Sequence, residues 1–304
     1  MKLPDEIGNM KYLRTLHFFD IEINSLECIK GLRELTSLTD LEIHCYSYNQ
    51  SSTSTDDEMT RRGREVLRTC LEKLCNLKYL HVVTFASYKI CLDVSSNCRA
   101  SFSNLQRFNA PLFRFSRVPE WIGQLHSLYD LEISVTEVLE DDVEMLARLP
   151  SLIHLHLRIL GAPKDKIIVR GDGFPVLKHF EFWCSKISFL TFEAGAMAKL
   201  ERLELEFNAH EWDRCGAAPA GMEHLSGLKE VSVFIGGMDA KESNIRAAES
   251  ALRNAVEMHP GRPTAGITCR PNSRVIFDEE EIWEREDDVE DKCEDLEDDG
   301  SDRT

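Results

Sequence analysis

Apolar residues along this chain recur at a spacing that changes within each copy of the pattern. The stretch LPSLIHLHLRIL at 149–160 places leucines at 149, 152 and 155, then at 157. A helix does not switch period in its middle, and a strand does not begin at period three. The same phrase opens at Met10, Leu35, Leu74, Phe102, Leu125, Leu149, Phe174, Met197 and Leu225, as in MKYLRTLHF, LCNLKYLHV and FPVLKHFEF. These nine copies of L-x-x-L-x-x-L-x-L are 25, 39, 28, 23, 24, 25, 23 and 28 residues apart. The first two anchors fit a turn that enters a strand. The last two fit the strand itself, because residues two apart share a face. Leu155 and Leu157 are therefore predicted to point inward, and His154, His156 and Arg158 outward.

One copy cannot bury its own leucines, so neighbouring copies must stack into a continuous core. A phrase of this form with a period of 20–29 residues is the leucine-rich repeat signature. The predicted fold is an α/β solenoid: a leucine-rich repeat horseshoe with a parallel concave sheet and an irregular or helical convex side. Each buried leucine-type side chain contributes about 1.5–3 kcal/mol of transfer free energy. Strands about 4.8 Å apart would make a sheet roughly 40 Å along its inner face.

The interruptions set the organisation. The 39-residue interval holds a polar insertion, SYNQSSTSTDDEMTR, read as an exposed loop over 47–61. After it, Val66, Leu67, Cys70, Leu71 and Leu74 recur at helical spacing, and LEDDVEMLARL at 139–149 reads as a second short convex helix. Residues 1–237 are assigned to about nine repeats. Residues 238–277 are assigned to a C-terminal cap built on a capping helix, whose apolar face is Ile245, Ala248, Leu252 and Val256 and which ends at His259-Pro260. The opening residues match the back half of a repeat, as VPEWIGQL at 118–125 does, so the chain is expected to be a fragment, a truncated gene product or a piece of something longer.

Charge changes the picture at one end. The net charge is −17, yet residues 278–304 alone hold sixteen acidic and three basic side chains. That stretch is predicted to be a disordered acidic tail. The remainder is nearly balanced and has no basic nucleic-acid footprint. Ten cysteines occur without a C-x-x-C pair, which fits structural thiols in a reducing compartment. With no apolar leader and no run long enough to span a membrane, the expected location is cytoplasmic, with the nucleus as a second possibility.

No catalytic signature is present: no phosphate loop, no G-x-G-x-x-G after a strand, no H-E-x-x-H and no G-x-S-x-G. The expectation is a non-catalytic module with no cofactor and no metal. His154 and His156 share a strand face, but outward strand positions accept polar residues of any kind. The informative positions are those outward columns. Between the strand anchors lie Glu42, His81, Glu132, His156, Glu181 and Glu204; after the last anchor lie Phe19, His44, Arg158, Trp183, Glu206 and Phe234. Exposed aromatics on a concave face suggest a binding surface, and these twelve residues are its candidates. Carboxylates at 132, 181, 204 and 206 favour a basic partner segment.

LPDEIGNMKYLRTL, VPEWIGQLHSLYDLEI, FPVLKHFEF, GAMAKLERLELEF, GLKEVSVFIGG and ALRNAVEMHPGRP resemble the closing repeats and terminal helix of plant intracellular immune receptors of the nucleotide-binding leucine-rich repeat family, in the grass coiled-coil form. The resemblance covers about 1–268. The asparagine expected after each strand survives once, at Asn208. The family's nucleotide-binding switch and N-terminal signalling domain have no counterpart in this sequence. The resemblance therefore implies only the sensing and autoinhibitory part of a receptor in plant defence. Its protein partner would be a pathogen effector, a guarded host protein or the receptor's own nucleotide-binding domain, with no nucleic acid. The acidic tail raises an alternative, a leucine-rich repeat nuclear regulator that binds histones or other basic proteins.

Overall fold

The structure is a computed structural model that describes residues 2–45, 62–84 except 64 and 68, 102–212, 216–236 and 240–270. The insertion at 47–61 and the acidic stretch at 278–304 lie outside the described residues.

The change of period has a local cause. In most copies the second anchor donates its backbone N–H to the carbonyl of the first, three residues back. Leu38 bonds Leu35 at 3.0 Å, Leu128 bonds Leu125 at 3.0 Å and Leu200 bonds Met197 at 2.8 Å. This tight turn puts both anchors in the core and delivers the chain into a strand, where the period becomes two. All nine phrases carry one: β1 (Thr15–Asp20), β2 (Asp40–Cys45), β3 (Tyr79–Thr84), β4 (Arg107–Phe115), β5 (Asp130–Val135), β6 (His154–Ile159), β8 (His179–Cys184), β10 (Arg202–Asn208) and β11 (Glu230–Gly236). They form one sheet with a tenth strand, β12 (Thr264–Arg270), each parallel to its neighbours.

A second ladder ties consecutive copies just before each strand. Ile153 N–H bonds Tyr129 O at 2.9 Å, Lys178 bonds Ile153 O at 2.9 Å, Glu201 bonds Lys178 O at 2.8 Å and Thr264 bonds Lys229 O at 2.8 Å. Asn76 and Asn104 add side-chain bonds to the carbonyls of Thr36 and Cys75 in the preceding copies. The inward anchors, Leu155 and Leu157 among them, are buried in one core that runs the length of the solenoid. The opposite face carries short helices: α1 (Leu26–Gly31), α2 (Glu140–Ala147) and α3 (Glu242–Glu257), with helical residues also among 62–71. A two-stranded parallel ribbon, β7 (Ile167–Val169) with β9 (Leu190–Phe192), lies outside the main sheet. Ile245, Ala248, Leu252 and Val256 of α3 are buried, as the apolar spacing predicts.

Two strands depart from the regular phrase. In β1 the register slips: Leu16 pairs with Leu41, but Phe19 pairs with Ile43. One extra residue, Phe18 at φ 57°, is pushed outward. In β4 the slip is larger, because Ala110 faces Ile133 and the next pair is Arg114 with Ser134. Pro111, Leu112 and Phe113 bulge between them. Proline supplies no backbone N–H, so the ladder breaks where it sits.

Candidate functional site

Strand alternation sends every second residue of the sheet away from the core, so the outward columns line up across consecutive strands. Glu132, His156, Glu181 and Glu204 sit in one register across β5, β6, β8 and β10. Ser134, Arg158, Trp183, Glu206, Phe234 and Thr268 form the next column. The structure therefore brings most of the candidate residues onto one face.

Arg158 is the hub of that face. Its Nη1 donates to Pro111 O at 3.1 Å, across to the bulge of β4. Its Nε donates to His156 Nε2 at 3.1 Å, and its Nη2 lies 3.4 Å from Glu132 Oε1. Its guanidinium carbon stands 4.8 Å from the centre of the Trp183 ring, a cation–π contact. Because His156 Nε2 accepts from an arginine, the imidazole proton sits on Nδ1. That nitrogen lies 3.1 Å from both Glu132 Oε1 and Glu181 Oε2. Trp183 in turn faces Glu206 across the β8–β10 register.

The carboxylates differ in electrostatic state. Burial pushes the Glu132 carboxyl up, but the hydrogen bond from His156 and the positive charge of Arg158 outweigh it, so its pKa is lowered. Burial raises the Glu206 pKa despite Arg158. Burial, and then Glu181 beside it, raise that of Glu204. At the far end, Arg270 of β12 stands over the half-buried Phe234 ring, 5.9 Å from its centre.

A second cluster occupies the same columns over β1–β3. Glu42 Oε1 lies 2.5 Å from His44 Nε2, and its other oxygen lies 3.9 Å from His17 Nδ1. Across the register, Glu42 faces His81. His44 lies in the outward column but is buried, and the Phe18 ring packs against it at a tilt, with centroids 5.1 Å apart. A depression of about 400 Å³ lies here, lined by Glu42, Tyr79, His81, Arg107, Asn109 and Tyr129 among others.

Phe19 does not belong to the face. The β1 bulge turns it inward, where it is fully buried, and Phe18 takes the outward place at 66% exposure. His154, outward as predicted, stacks on His179 with centroids 4.6 Å apart. Sequence reasoning missed Phe18, Leu112 and Arg270. Phe18 had a signal: Phe19 and Ile21 are two apart and both apolar, which fits an inward pair one step out of phase with Leu16. Leu112, 45% exposed, was hidden because the β4 phrase gives no warning of its bulge. Among the described residues no helix is long and apolar enough to cross a membrane.

Comparison with known proteins agrees with this architecture. A family model described as a leucine-rich repeat region matches residues 1–265. The rice (Oryza sativa subsp. japonica) disease resistance protein RGA5 is 40% identical over 263 residues, which are 85% of this chain and 23% of that protein. The rice disease resistance protein Pik-2 is 26% identical over 257 residues, or 75% of this chain and 23% of that protein. The chain thus spans under a quarter of the length of these relatives. A solved leucine-rich repeat protein of Leptospira interrogans superposes with a TM-score of 0.42 at 15% identity, over 87% of this chain and 74% of that one.

Proposed function

Because the chain belongs to the leucine-rich repeat region family, we propose that its outward sheet face is a non-catalytic protein-binding surface in plant defence. In this reading it is the recognition and autoinhibitory part of an innate immune receptor acting inside the cell. Residues 1–237 carry most of the face, and within the cap assigned to 238–277 the strand β12 extends it. The partner is a protein: a pathogen effector, a guarded host protein or a nucleotide-binding domain of the same receptor. The observation that carries the reading is the Arg158 hub. It fixes side chains of β5, β6 and β8 against the β4 bulge, so the face is ordered before any partner arrives, which lowers the entropy cost of binding. The disease resistance relatives support the biological setting, whereas the histone-binding alternative gains no support from them.

The test is titration of candidate effectors and of a relative's nucleotide-binding segment against face variants. Arg158→Ala and Trp183→Ala should weaken binding at least tenfold, whereas Lys164→Glu and Arg246→Glu, outside the sheet, should leave it unchanged. The opposite pattern would overturn the proposal.

A further inference from the structure

Regular copies of the phrase put only polar or half-covered groups on the outward face. Phe18 and Leu112 break that rule. They are the two largely exposed apolar side chains that the irregular strands β1 and β4 supply, at 66% and 45% exposure. Each is out because of a register slip, so the anomaly is built into the backbone. The β4 bulge overhangs the face itself, since Pro111 O accepts from Ser134 Oγ of β5 and from Arg158 of β6.

The other end of the same face has the opposite character. Glu181 pairs with Glu204 in the register, and Glu206 follows on the strand beside Trp183. The edges of the Arg158 guanidinium meet Pro111, His156 and Glu132, and one of its faces meets Trp183. None of these contacts is to Glu204, one strand beyond Trp183. The side chain of Glu181 is 46% exposed. Between the apolar and acidic ends lie Ser134 and Arg158, both bonded to the Pro111 carbonyl of the β4 bulge.

Resting on the reading of this face as protein-binding, we propose that its partner is an extended segment laid across the strands, with apolar residues on Phe18 and Leu112 and a basic residue among Glu181, Glu204 and Glu206. Strand spacing sets the partner's pattern. From β1 to β4 is three steps of about 4.8 Å, so the two apolar residues stand about four apart in an extended chain. From β4 to β10 is four steps, roughly 19 Å, so the basic residue follows about six positions later. Charge complementarity favours this occupant over an acidic one, because Glu181, Glu204 and Glu206 sit together on adjacent strands, and burial already raises the pKa values of Glu204 and Glu206. A cation there favours the charged form of these half-buried carboxyls and offsets the cost of their burial.

Fluorescence anisotropy with labelled synthetic peptides tests the pattern. The peptides carry two leucines four apart, then a Lys-Arg pair two, six or ten residues further on, with a matching Glu-Glu series. The six-residue spacing should bind at least tenfold tighter than the other spacings or any Glu-Glu peptide, and should weaken as salt rises. Phe18→Ser and Leu112→Ser should each cost at least fivefold, and Glu204→Gln/Glu206→Gln at least tenfold, with melting curves confirming that each variant is folded. Equal affinity at all spacings, equal binding of the acidic series, or no binding by any peptide would overturn the inference. If protein partners still require Arg158 and Trp183 while peptides show no spacing preference, this inference fails and the broader proposal stands. If neither dependence appears, both fail.

Discussion

Phe18 and Phe19 are adjacent aromatics with opposite energetic roles. Phe19 is fully buried and Phe18 is two-thirds exposed. Phe19→Ala should therefore cost about 3–5 kcal/mol in urea unfolding, from lost transfer energy and the cavity left behind. Phe18 holds φ 57°, a conformation that only glycine adopts without strain. Phe18→Gly should leave stability within about 0.5 kcal/mol of the parent, as for a surface change. Titration separates the carboxylates in the same way. The Glu132 pKa is lowered in the fold, so its contribution is present above its unfolded value and lost as pH falls through the folded one. Those of Glu204 and Glu206 are raised, so their contribution is full at low pH and lost as pH rises through the folded values. Melting temperatures at pH 4, 5 and 7 should show Glu132→Gln flattening the acid limb, and Glu204→Gln/Glu206→Gln raising stability at neutral pH. Counting by twos from Leu155 makes His156, Arg158, Glu132 and Glu181 legible as one face. The same count fails at Phe19 because a single inserted residue inverts every side chain beyond it.

The elements follow the phrase wherever the phrase is intact. Nine strands were readable because four apolar anchors recur in each. β12 was not, because TAGITCR lacks the two leading anchors. Only Ile267 and Cys269 turn partly inward, and its first three residues are exposed. What makes it a strand is the ladder bond from Thr264 N–H to Lys229 O, a contact with the preceding copy that residues 264–270 do not encode by themselves. The ribbon β7–β9 escaped notice for a similar reason, since three-residue strands leave no period to count. Between β10 and β11 the chain turns on Gly221 at φ 76°, where an added Cβ would meet Phe192 O of β9 at 1.9 Å. Both the dihedral and the space exclude a side chain there. Gly221→Ala should lower stability by more than about 1 kcal/mol and loosen the bridge between Ala220 and Thr191 of β9. Faster amide exchange at Phe192, whose N–H bonds Ala220 O at 2.9 Å, is the local signal to measure.

Across the whole molecule, stability is a chain of nearest-neighbour contacts, because each copy packs chiefly on the one before and the one after. Arg158 is an exception to that rule. Its bond to Pro111 O spans 47 residues and skips β5, while its ring contact reaches forward to β8. It therefore couples β4, β6 and β8 at the middle of the sheet. Leu155 lies in the core directly beneath, paired with Leu131 and Phe180. Leu155→Ala should cost about 2–5 kcal/mol, and Arg158→Ala should cost less, because part of its surface stays wet. Each single variant should still melt in one transition at a lower temperature. The double variant removes both the core contact and the strap, and should separate the curve into two transitions. Hydrogen exchange would then assign one to β1–β5 and the other to β8–β12. A single transition in the double variant, with exchange rising uniformly along the sheet, would show that the ladder bonds before the strands carry the coupling and that Arg158 serves the face only.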